Sequence, residues 1–341
     1  MSKILNCSFI RGKEVSIEEA AIKAKKLVST CKSMHVDGLG CDNKGLKSIF
    51  DFAENKTASV DHMDGEKIAD LNNTVQRYGG FFSSLGEIYH RSELIFFIGF
   101  DKAHPKEFDV LKKSLKKPKI FFFDGNFKPT KEFKFLNIPR NKLVNKIKKI
   151  QEFIKLKKKP KEYKLNEILK LLRNSKYTSV IYSSTNNKEL TNEIFRLIRL
   201  LNNENIKTSI LSYTGTNNLG GAIQYSLWKT GYPLRIQFTE NGPVYNPIEI
   251  NSNYLSKRKD LQVFISCFDY ERKPNMFKKN IFIGNPNHLK KKDYDIFIPA
   301  KVPGINKSGI VHRGDGLSIL KLKKKINTEN LSVEEIIKLI S

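Results

Sequence analysis

Cysteine is scarce in this sequence, and its spacing does not suit a metal site. The four cysteines among the 341 residues are Cys7, Cys31, Cys41 and Cys267. No interval between them resembles the C-x₂-C pairs of zinc and iron–sulfur sites, and a cubane cluster needs four thiolates brought together. The spacing therefore predicts four reduced thiols and no iron–sulfur cluster held by this chain.

Long apolar runs are missing as well. The longest lie near residues 94–99 and 120–123, whereas a membrane-spanning helix needs about 20 apolar residues. The N-terminal segment has no apolar core long enough for a signal peptide. We therefore expect a cytoplasmic protein that does not cross a membrane.

Arginine is rare in a sequence that is otherwise strongly basic. Only 11 of the 61 basic residues are arginine, and the formal net charge is +26. Nucleic-acid-binding proteins often use arginine for bidentate contacts, and no helix-turn-helix, RRM, KH or zinc-finger signature is present. The lysine excess, beside many Asn, Ile and Phe, is typical of an AT-rich genome. A polyanionic partner stays an alternative, because 18 lysines fall within residues 111–164.

What the sequence does contain is an alternation of apolar runs and helical spacing. Continuous apolar runs of strand length occur at 94–100, 119–123, 179–182 and 208–212, with helix-length segments between them. This rhythm predicts an α/β fold with doubly wound parallel sheets covered on both faces. Ligands in such folds bind beyond the carboxyl ends of the strands, where glycine-bearing loops follow several of these runs.

Single motifs point to no particular chemistry. The glycine-bearing segment 215–221 is not followed by the Lys-Ser/Thr pair with which a phosphate loop contacts phosphate and magnesium. Asp61 and His62 form the nearest approach to a metal pair, although a structural polar residue at a strand end is the favoured interpretation. No nucleophile–base arrangement stands out in the sequence.

An ordered set of short segments is more informative than any one of them. The segments are VDGLG (36–40), VDH (60–62), SLGEIYHRSELIFFIG (84–99), AHP (103–105), NNLGG (217–221), TGYP (230–233), GPVYNP (242–247), DIFIP (295–299), GI (304–305) and SGIVHRGD (308–315). In this order they resemble the B subunit of formylmethanofuran dehydrogenase. They resemble more closely its relative in methylotrophic bacteria, the B subunit of the formyltransferase/hydrolase complex.

The resemblance implies a particular domain organisation. The family has the molybdopterin-oxidoreductase fold, as in domains 1–3 of formate dehydrogenase and dimethyl sulfoxide reductase. An N-terminal segment would span residues 1–33, and a discontinuous doubly wound domain would combine 34–128 with 251–325. A second α/β domain would be inserted at 129–250, and a C-terminal helix would occupy 326–341. Independently of the resemblance, the spacing of Ser332 and Glu335 predicts a capping box at the start of this helix, which we expect to face a partner. The cluster-binding N-terminal segment of the dehydrogenase is lost, since only Cys7 precedes the first helix.

The resemblance also implies a function. The complex moves a formyl group from tetrahydromethanopterin to a furan cofactor and hydrolyses it to formate, which completes formaldehyde oxidation. This chain would be a non-redox structural component that assembles with an amidohydrolase-like A subunit, a C subunit and a formyltransferase D subunit. Zinc would sit in the A subunit. The basic window at 111–164 could attract a polyglutamate tail on the furan cofactor.

Neither catalytic residues nor metal ligands are expected in this chain. The segment matching the metal-ligating cysteine of the dehydrogenase contains none, and an expected arginine is replaced by Glu240 and Asn241. The resemblance leaves a vestigial molybdopterin cavity, for which the candidate residues are Gly99, Asp101, His104, Asn218, Gly220, Gly221, Gly284, Asn285, His312 and Arg313. Two alternatives stay open: an active molybdenum or tungsten pterin enzyme, and a basic nucleic-acid-binding protein.

Overall fold

The computed structural model describes residues 7–100, 106–124, 133–183, 187–213 and 217–341. They form two compact units. A discontinuous unit comprises Met1–Glu66 and Gly215–Ser341, and an inserted unit comprises Lys67–Thr214. Within the described residues, no helix is both long enough and apolar enough to cross a membrane.

Strands and helices alternate along most of the chain. The strands are β1 (Ser8–Ile10), β2 (Lys13–Val15), β3 (Met34–Gly40), β4 (Ser59–Val60), β5 (Leu94–Ile98), β6 (Lys119–Asp124), β7 (Phe133–Ile138), β8 (Thr178–Ser183), β9 (Thr208–Tyr213), β10 (Ile236–Thr239), β11 (Gly242–Tyr245), β12 (Leu261–Ser266), β13 (Lys279–Gly284), β14 (Ile296–Pro299), β15 (Gly309–His312) and β16 (Ile319–Leu322). The helices are α1 (Ile17–Thr30), α2 (Asn43–Asn55), α3 (Gly65–Tyr78), α4 (Leu85–Arg91), α5 (Arg140–Leu156), α6 (Tyr163–Asn174), α7 (Lys188–Asn203), α8 (Leu219–Thr230), α9 (Ser252–Leu255) and α10 (Val333–Ile340).

The inserted unit is built on a five-stranded sheet in the order β7-β6-β5-β8-β9. All of its strand pairs are parallel. Side chains alternate between the faces of a strand, so Phe96 of β5 packs into one apolar cluster and Phe97 into another. The first cluster includes side chains of α5, α6 and α7, and the second includes side chains of α4. Burial on both faces explains why β5 is continuously apolar.

The discontinuous unit has a nine-stranded sheet in the order β11-β10-β4-β3-β12-β13-β14-β1-β2. The five central strands, β4 to β14 in this order, are parallel, whereas hairpins add antiparallel strands at both edges. The strands β15 and β16 form a separate antiparallel pair. The parallel strands at the centre of this sheet and throughout the five-stranded sheet confirm the predicted α/β class.

The predicted domain boundaries need correction. β5 and β6, which the resemblance assigns to the discontinuous domain, pair with β8 and β7 in the inserted unit, and β10, which it assigns to the inserted domain, pairs with β4. The basic stretch after residue 129 supplies β7 and α5 to the inserted unit. Buried parallel strands look alike in sequence, and only their hydrogen-bond partners assign them to a sheet.

The two termini belong to the discontinuous unit rather than to separate segments. β1 pairs with β14, so residues 7–33 are part of that unit. The C-terminal helix α10 begins with a capping box between Ser332 and Glu335, as predicted. It packs against α1 and α2 and buries Val333, Ile336, Ile337 and Ile340. Its apolar face is therefore covered by this chain, which corrects the prediction of a partner-facing helix.

Candidate functional site

A polar cavity lies in the discontinuous unit where the strand order of its sheet reverses. The chain passes from β3 to β4 on one side and returns later as β12 on the other. Such switch points are where α/β sheets bind ligands. The cavity has a volume of about 260 Å³. Its walls carry three acidic and three basic side chains, namely Asp37, Asp61, Glu66, Arg235, Arg272 and Lys273.

Arg235, which precedes β10, is the buried basic group of this cavity. Its Nε donates to Asp61 Oδ2 at 3.3 Å, and its Nη2 donates to Glu66 Oε2 at 2.6 Å. Its Nη1 donates to the carbonyl of Pro247. Since all three guanidinium nitrogens have protein partners, the charge and the orientation of Arg235 are set by the fold.

Asp61 follows β4 and faces Arg235 from the cavity wall. Burial raises the pKa of its carboxyl to about 8, although Arg235 acts in the opposite direction. The carboxylate lies so close to Gly65 that a Cβ atom there would be 2.0 Å from Asp61 Oδ1, so only glycine fits. A carboxyl that titrates near neutral pH can exchange a proton with a bound ligand.

His62 is a structural residue in this fold. Its Nδ1 accepts a hydrogen bond from Asp64 N at 3.0 Å, and its Nε2 donates to the Asn217 carbonyl at 3.2 Å. Burial lowers the pKa of the imidazole, which is consistent with this neutral tautomer. Both ring nitrogens of His62 are engaged with backbone groups, as expected of a structural polar residue after a strand.

A histidine, a serine and an aspartate meet at the cavity without forming a nucleophilic site. His35 Nε2 lies 3.2 Å from Ser252 Oγ, whose hydroxyl donates to Asp37 Oδ2. In a catalytic triad the carboxylate orients the histidine through its other nitrogen. Here that nitrogen, Nδ1, contacts Ser59 Oγ at 2.8 Å, and burial lowers the pKa of His35 to about 4. The hydrogen bonds among His35, Ser252 and Asp37 therefore hold side chains of the cavity wall in place.

Five residues of the predicted cofactor cavity come together at the N-terminus of α8. They are Asn218, Gly220, Gly221, His312 and Arg313. His312 N donates to Asn218 Oδ1 at 2.8 Å, and Asn218 Nδ2 donates to a carbonyl that follows β3. The backbone of the β15–β16 pair is thereby attached to the start of α8.

The glycines of α8 serve packing within the chain. A Cβ atom at Gly220 would lie 3.1 Å from the Cα of Gly316, and one at Gly221 would lie 2.4 Å from Asn218 Oδ1. The turn after β15 therefore occupies the space beside Gly220. These glycines have a structural reason to be present whether or not a ligand binds.

Other predicted residues lie elsewhere in the two units or outside the described residues. Gly284 ends β13, and Asn285 Nδ2 donates to the Cys267 carbonyl at 3.0 Å. Gly99 lies in the inserted unit, where its N–H donates to Asp124 Oδ1 at 2.8 Å. Asp101 and His104 lie outside the described residues.

The cysteines do not fit a four-thiolate cluster. Cys31 precedes β3 and Cys41 follows it, so a strand of seven residues separates them, roughly 20 Å. Cys7 precedes β1, four strands away from β3. Cys41 and Cys267 are buried, and burial raises the pKa of both thiols. Among the residues the structure describes, no group of three or more His, Cys, Asp or Glu side chains could hold a metal ion.

Sequence reasoning missed the cavity at the switch point. Asp37 and Asp61 stand in two of the ordered segments, and acidic residues at strand ends are a usable signal. Arg235 and Arg272 carry no such signal, because the acids that they contact across the cavity, Asp61 and Asp64, are distant in sequence. Glu240 and Asn241, the expected site of a lost arginine, form the turn between β10 and β11.

Comparison with known proteins gives two sequence relatives, and no family model matches the chain. The B subunit of tungsten-containing formylmethanofuran dehydrogenase 2 from Methanococcus maripaludis is 31% identical over 136 residues, which cover 37% of this chain and 31% of that protein. The protein of the same name from Methanocaldococcus jannaschii is 27% identical over 144 residues, which cover 39% of this chain and 33% of that protein. The match thus spans about a third of each curated relative.

A solved structure extends the likeness to nearly the whole chain. One chain in the crystal structure of the formyltransferase/hydrolase complex (FhcABCD) from Methylorubrum extorquens, in complex with methylofuran, superposes with a TM-score of 0.81 at 15% identity. The superposition covers 98% of this chain and 97% of that one. The predicted resemblance is confirmed: this chain is related in sequence to the B subunit of formylmethanofuran dehydrogenase and shares its fold with a chain of the formyltransferase/hydrolase complex.

Proposed function

We propose that this chain is a non-redox structural subunit of a cytoplasmic formyltransferase/hydrolase complex. In that complex, a formyl group passes from tetrahydromethanopterin to a furan cofactor and is hydrolysed to formate. The observation that carries the proposal is that a relative of the dehydrogenase's B subunit matches a chain of such a complex over 98% of its length. The two parallel sheets would correspond to doubly wound domains of the molybdopterin oxidoreductases.

The proposal of a non-redox role rests on the cysteines. Their positions at separate points of the discontinuous unit do not allow four thiolates to converge on one cluster. Without a cluster, electrons have no route to or from a tungsten or molybdenum pterin. Hydrolysis needs no such route, so we expect no cofactor in this chain and zinc in the amidohydrolase-like A subunit. The C subunit and the formyltransferase D subunit complete the proposed assembly.

Coexpression tests the assembly directly. The chain should be poorly soluble alone, because apolar side chains such as Trp228 and Ile319 are exposed, and soluble when produced with the A, C and D subunits. The purified assembly should release formate from the formylated furan cofactor. A stable, monodisperse monomer with no affinity for the other subunits would contradict the proposal.

Elemental analysis tests the absence of a redox centre. The purified complex should be colourless and should contain zinc, with iron, molybdenum and tungsten each well below one atom per copy of this chain. It should not reduce viologen dyes with a formylated substrate, because no electron path leads from the site. Stoichiometric molybdenum or tungsten that is extractable with a pterin would favour the active oxidoreductase instead.

The exposed lysines of the basic window are expected to form a solvated surface and not a binding site for the polyglutamate tail of the furan cofactor. Lys155, Lys157, Lys158 and Lys159 are exposed at the end of α5, and Lys157 lies 3.7 Å from Glu204. Exposed charges act only over a Debye length, about 8 Å at physiological salt. Replacing the four lysines with Gln should change the KM for the cofactor by less than about twofold.

The control for this variant is the furan cofactor without its tail. A KM that rises several-fold for the tailed cofactor only, and less so at high salt, would show that these lysines bind the tail. The variant itself should fold normally, because the side chains lie on the surface.

A further inference from the structure

The strands β15 and β16 extend into a longer two-stranded arm, here called the arm, from Ile305 to Ile326. Their register pairs Ile310 with Lys321. Beyond the strands, Lys324 N donates to Ser308 Oγ at 3.1 Å, and Ile326 N donates to the Ile305 carbonyl at 3.0 Å. The arm pairs with no other strand among the described residues.

The arm is attached to the rest of the discontinuous unit by one face and by Lys307, whose Nζ lies 3.0 Å from Asp42 Oδ1 and 2.6 Å from Glu334 Oε1. Val311 on that face is 8% exposed, and His312 N is bound to Asn218 at the start of α8. The close approach of Gly316 to Gly220 holds the turn of the arm against the same helix. The arm is therefore held in place before any partner arrives, which lowers the entropic cost of binding.

The opposite face of the arm is exposed and carries isoleucines beside polar side chains, because Ile310 lies directly across from Lys321 and Ile319 directly across from His312. Ile310 and Ile319 occupy diagonal positions on this face and are 42% and 61% exposed. Other exposed aliphatic side chains of the arm are Ile305, Leu317 and Ile326, whereas Leu320 is paired with Val311 and lies on the attached face. Several exposed aliphatic side chains on one short ribbon mark an interaction site, because their contact with water is costly. An isolated two-stranded ribbon is also marginally stable until something packs on it.

The charges on the arm indicate what covers it. Lys321, Lys323, Lys324 and Lys325 are exposed. The single acidic residue of the arm, Asp315, is paired with Arg313. A second copy of the chain would bring the same lysines and its own net charge of +26 against them. Electrostatic complementarity therefore favours an acidic protein over self-association.

We propose that the exposed face of the arm is a docking surface for another subunit, one that presents aliphatic side chains bordered by carboxylates. The inference rests on the proposed function for the existence of subunit partners. Ile310, Ile319 and Leu317 supply the apolar contacts, and Lys321 beside Ile310, together with the other three lysines, supplies the charged contacts.

Two arm variants and matched controls test the proposal within the coexpressed complex. One variant combines Ile310→Ser with Ile319→Ser, and the other replaces Lys321, Lys323 and Lys324 with Gln. The controls are Leu115→Ser and Ile248→Ser, which alter aliphatic side chains that are 93% and 79% exposed outside the arm. Affinity for the tagged partner subunits is measured by pull-down and interferometry, and folding is checked by thermal melting.

The Ile double variant should bind at least about tenfold more weakly while melting no lower than the wild type, because truncating an apolar centre removes most of an interface's affinity. The Lys variant should mainly lose the salt dependence of association. The controls should bind as the wild type does.

Several results would overturn the docking surface. Undiminished assembly of both arm variants would do so while leaving the proposed function intact. If the chain forms a dimer and the Ile double variant abolishes it, the occupant is a second copy. If the chain binds anionic vesicles and the same variant abolishes this binding, the occupant is a membrane. If the wild-type chain binds none of the subunits, both the docking surface and the proposed function fail.

Discussion

Gly38→Ala is expected to destabilise the discontinuous unit by about 4 kcal/mol or more, an effect large enough to abolish folding. Gly38 lies in β3 with a φ of +86°, and a Cβ atom there would be 2.4 Å from Ile265 O and 2.9 Å from Ile265 N. These atoms belong to the backbone of β12, which is hydrogen-bonded between β3 and β13. The backbone of a central strand cannot withdraw as a flexible side chain can.

A matched glycine separates steric overlap from backbone strain. Gly231 has a similar φ of +79°, but nothing lies within 4 Å of the position of its Cβ atom. Gly231→Ala should therefore cost only about 1–2 kcal/mol, the strain of a left-handed alanine. Urea denaturation of both variants measures the difference. Equal losses of unfolding free energy would mean that the close approach of Gly38 to Ile265 does not matter.

Arg235→Met is expected to cost about 3–5 kcal/mol at alkaline pH, because it leaves the buried Asp61 carboxyl without its cation. Burial raises the pKa of Asp61 from 3.8 to about 8 in the folded protein. The folded state thus holds this proton more tightly than the unfolded state does. The stability that protonated Asp61 contributes is present at low pH and is lost as the pH rises through this interval.

The cost of the Arg235→Met substitution should therefore depend on pH. At about pH 5 the folded variant keeps Asp61 protonated, so the substitution removes only the hydrogen bonds of Arg235. At about pH 9 the wild type holds an ionised Asp61 beside Arg235. The variant must either bury an unpaired Asp61 carboxylate or keep Asp61 protonated at a pH where a free carboxyl would be ionised. Denaturation at the two pH values measures the change.

An exposed arginine provides the control for this measurement. Arg11 lies 3.7 Å from Asp295 and its side chain is 83% exposed. Arg11→Met should cost less than about 1 kcal/mol at either pH, as exposed ion pairs do. If Arg235→Met lowers the unfolding free energy by an equally small amount, or by an amount that does not change with pH, the buried ion pair between Arg235 and Asp61 is contradicted.

The local elements of the fold could be predicted because their signals lie close together in the chain. The continuous apolar run of β5 indicates a strand that is buried on both faces, and the structure places it at the centre of the inserted sheet. Ser332 and Glu335 are three residues apart, and their reciprocal hydrogen bonds start α10 as the sequence predicts. Neither pattern depends on distant residues.

The candidate site could be predicted only in part. Asn218 and His312 are expected in one cavity and do meet, yet they bind each other and this chain's own backbone. The contact between Arg235 and Asp61 was not predicted, because 174 residues separate them. Nothing near Arg235 in the sequence distinguishes it from an exposed arginine, since its burial depends on strands from both halves of the unit.

By itself, the sequence determined the α/β class, the relation to the B subunit of formylmethanofuran dehydrogenase and the shortage of cysteine ligands. These follow from composition, local periodicity and the order of short segments. Only the tertiary structure decided which sheet each strand joins, that α10 packs inward, and that the arm stays exposed. The physical reason is that strand pairing, ion pairing and burial join residues far apart in the chain, and their energies depend on surroundings that no local segment encodes.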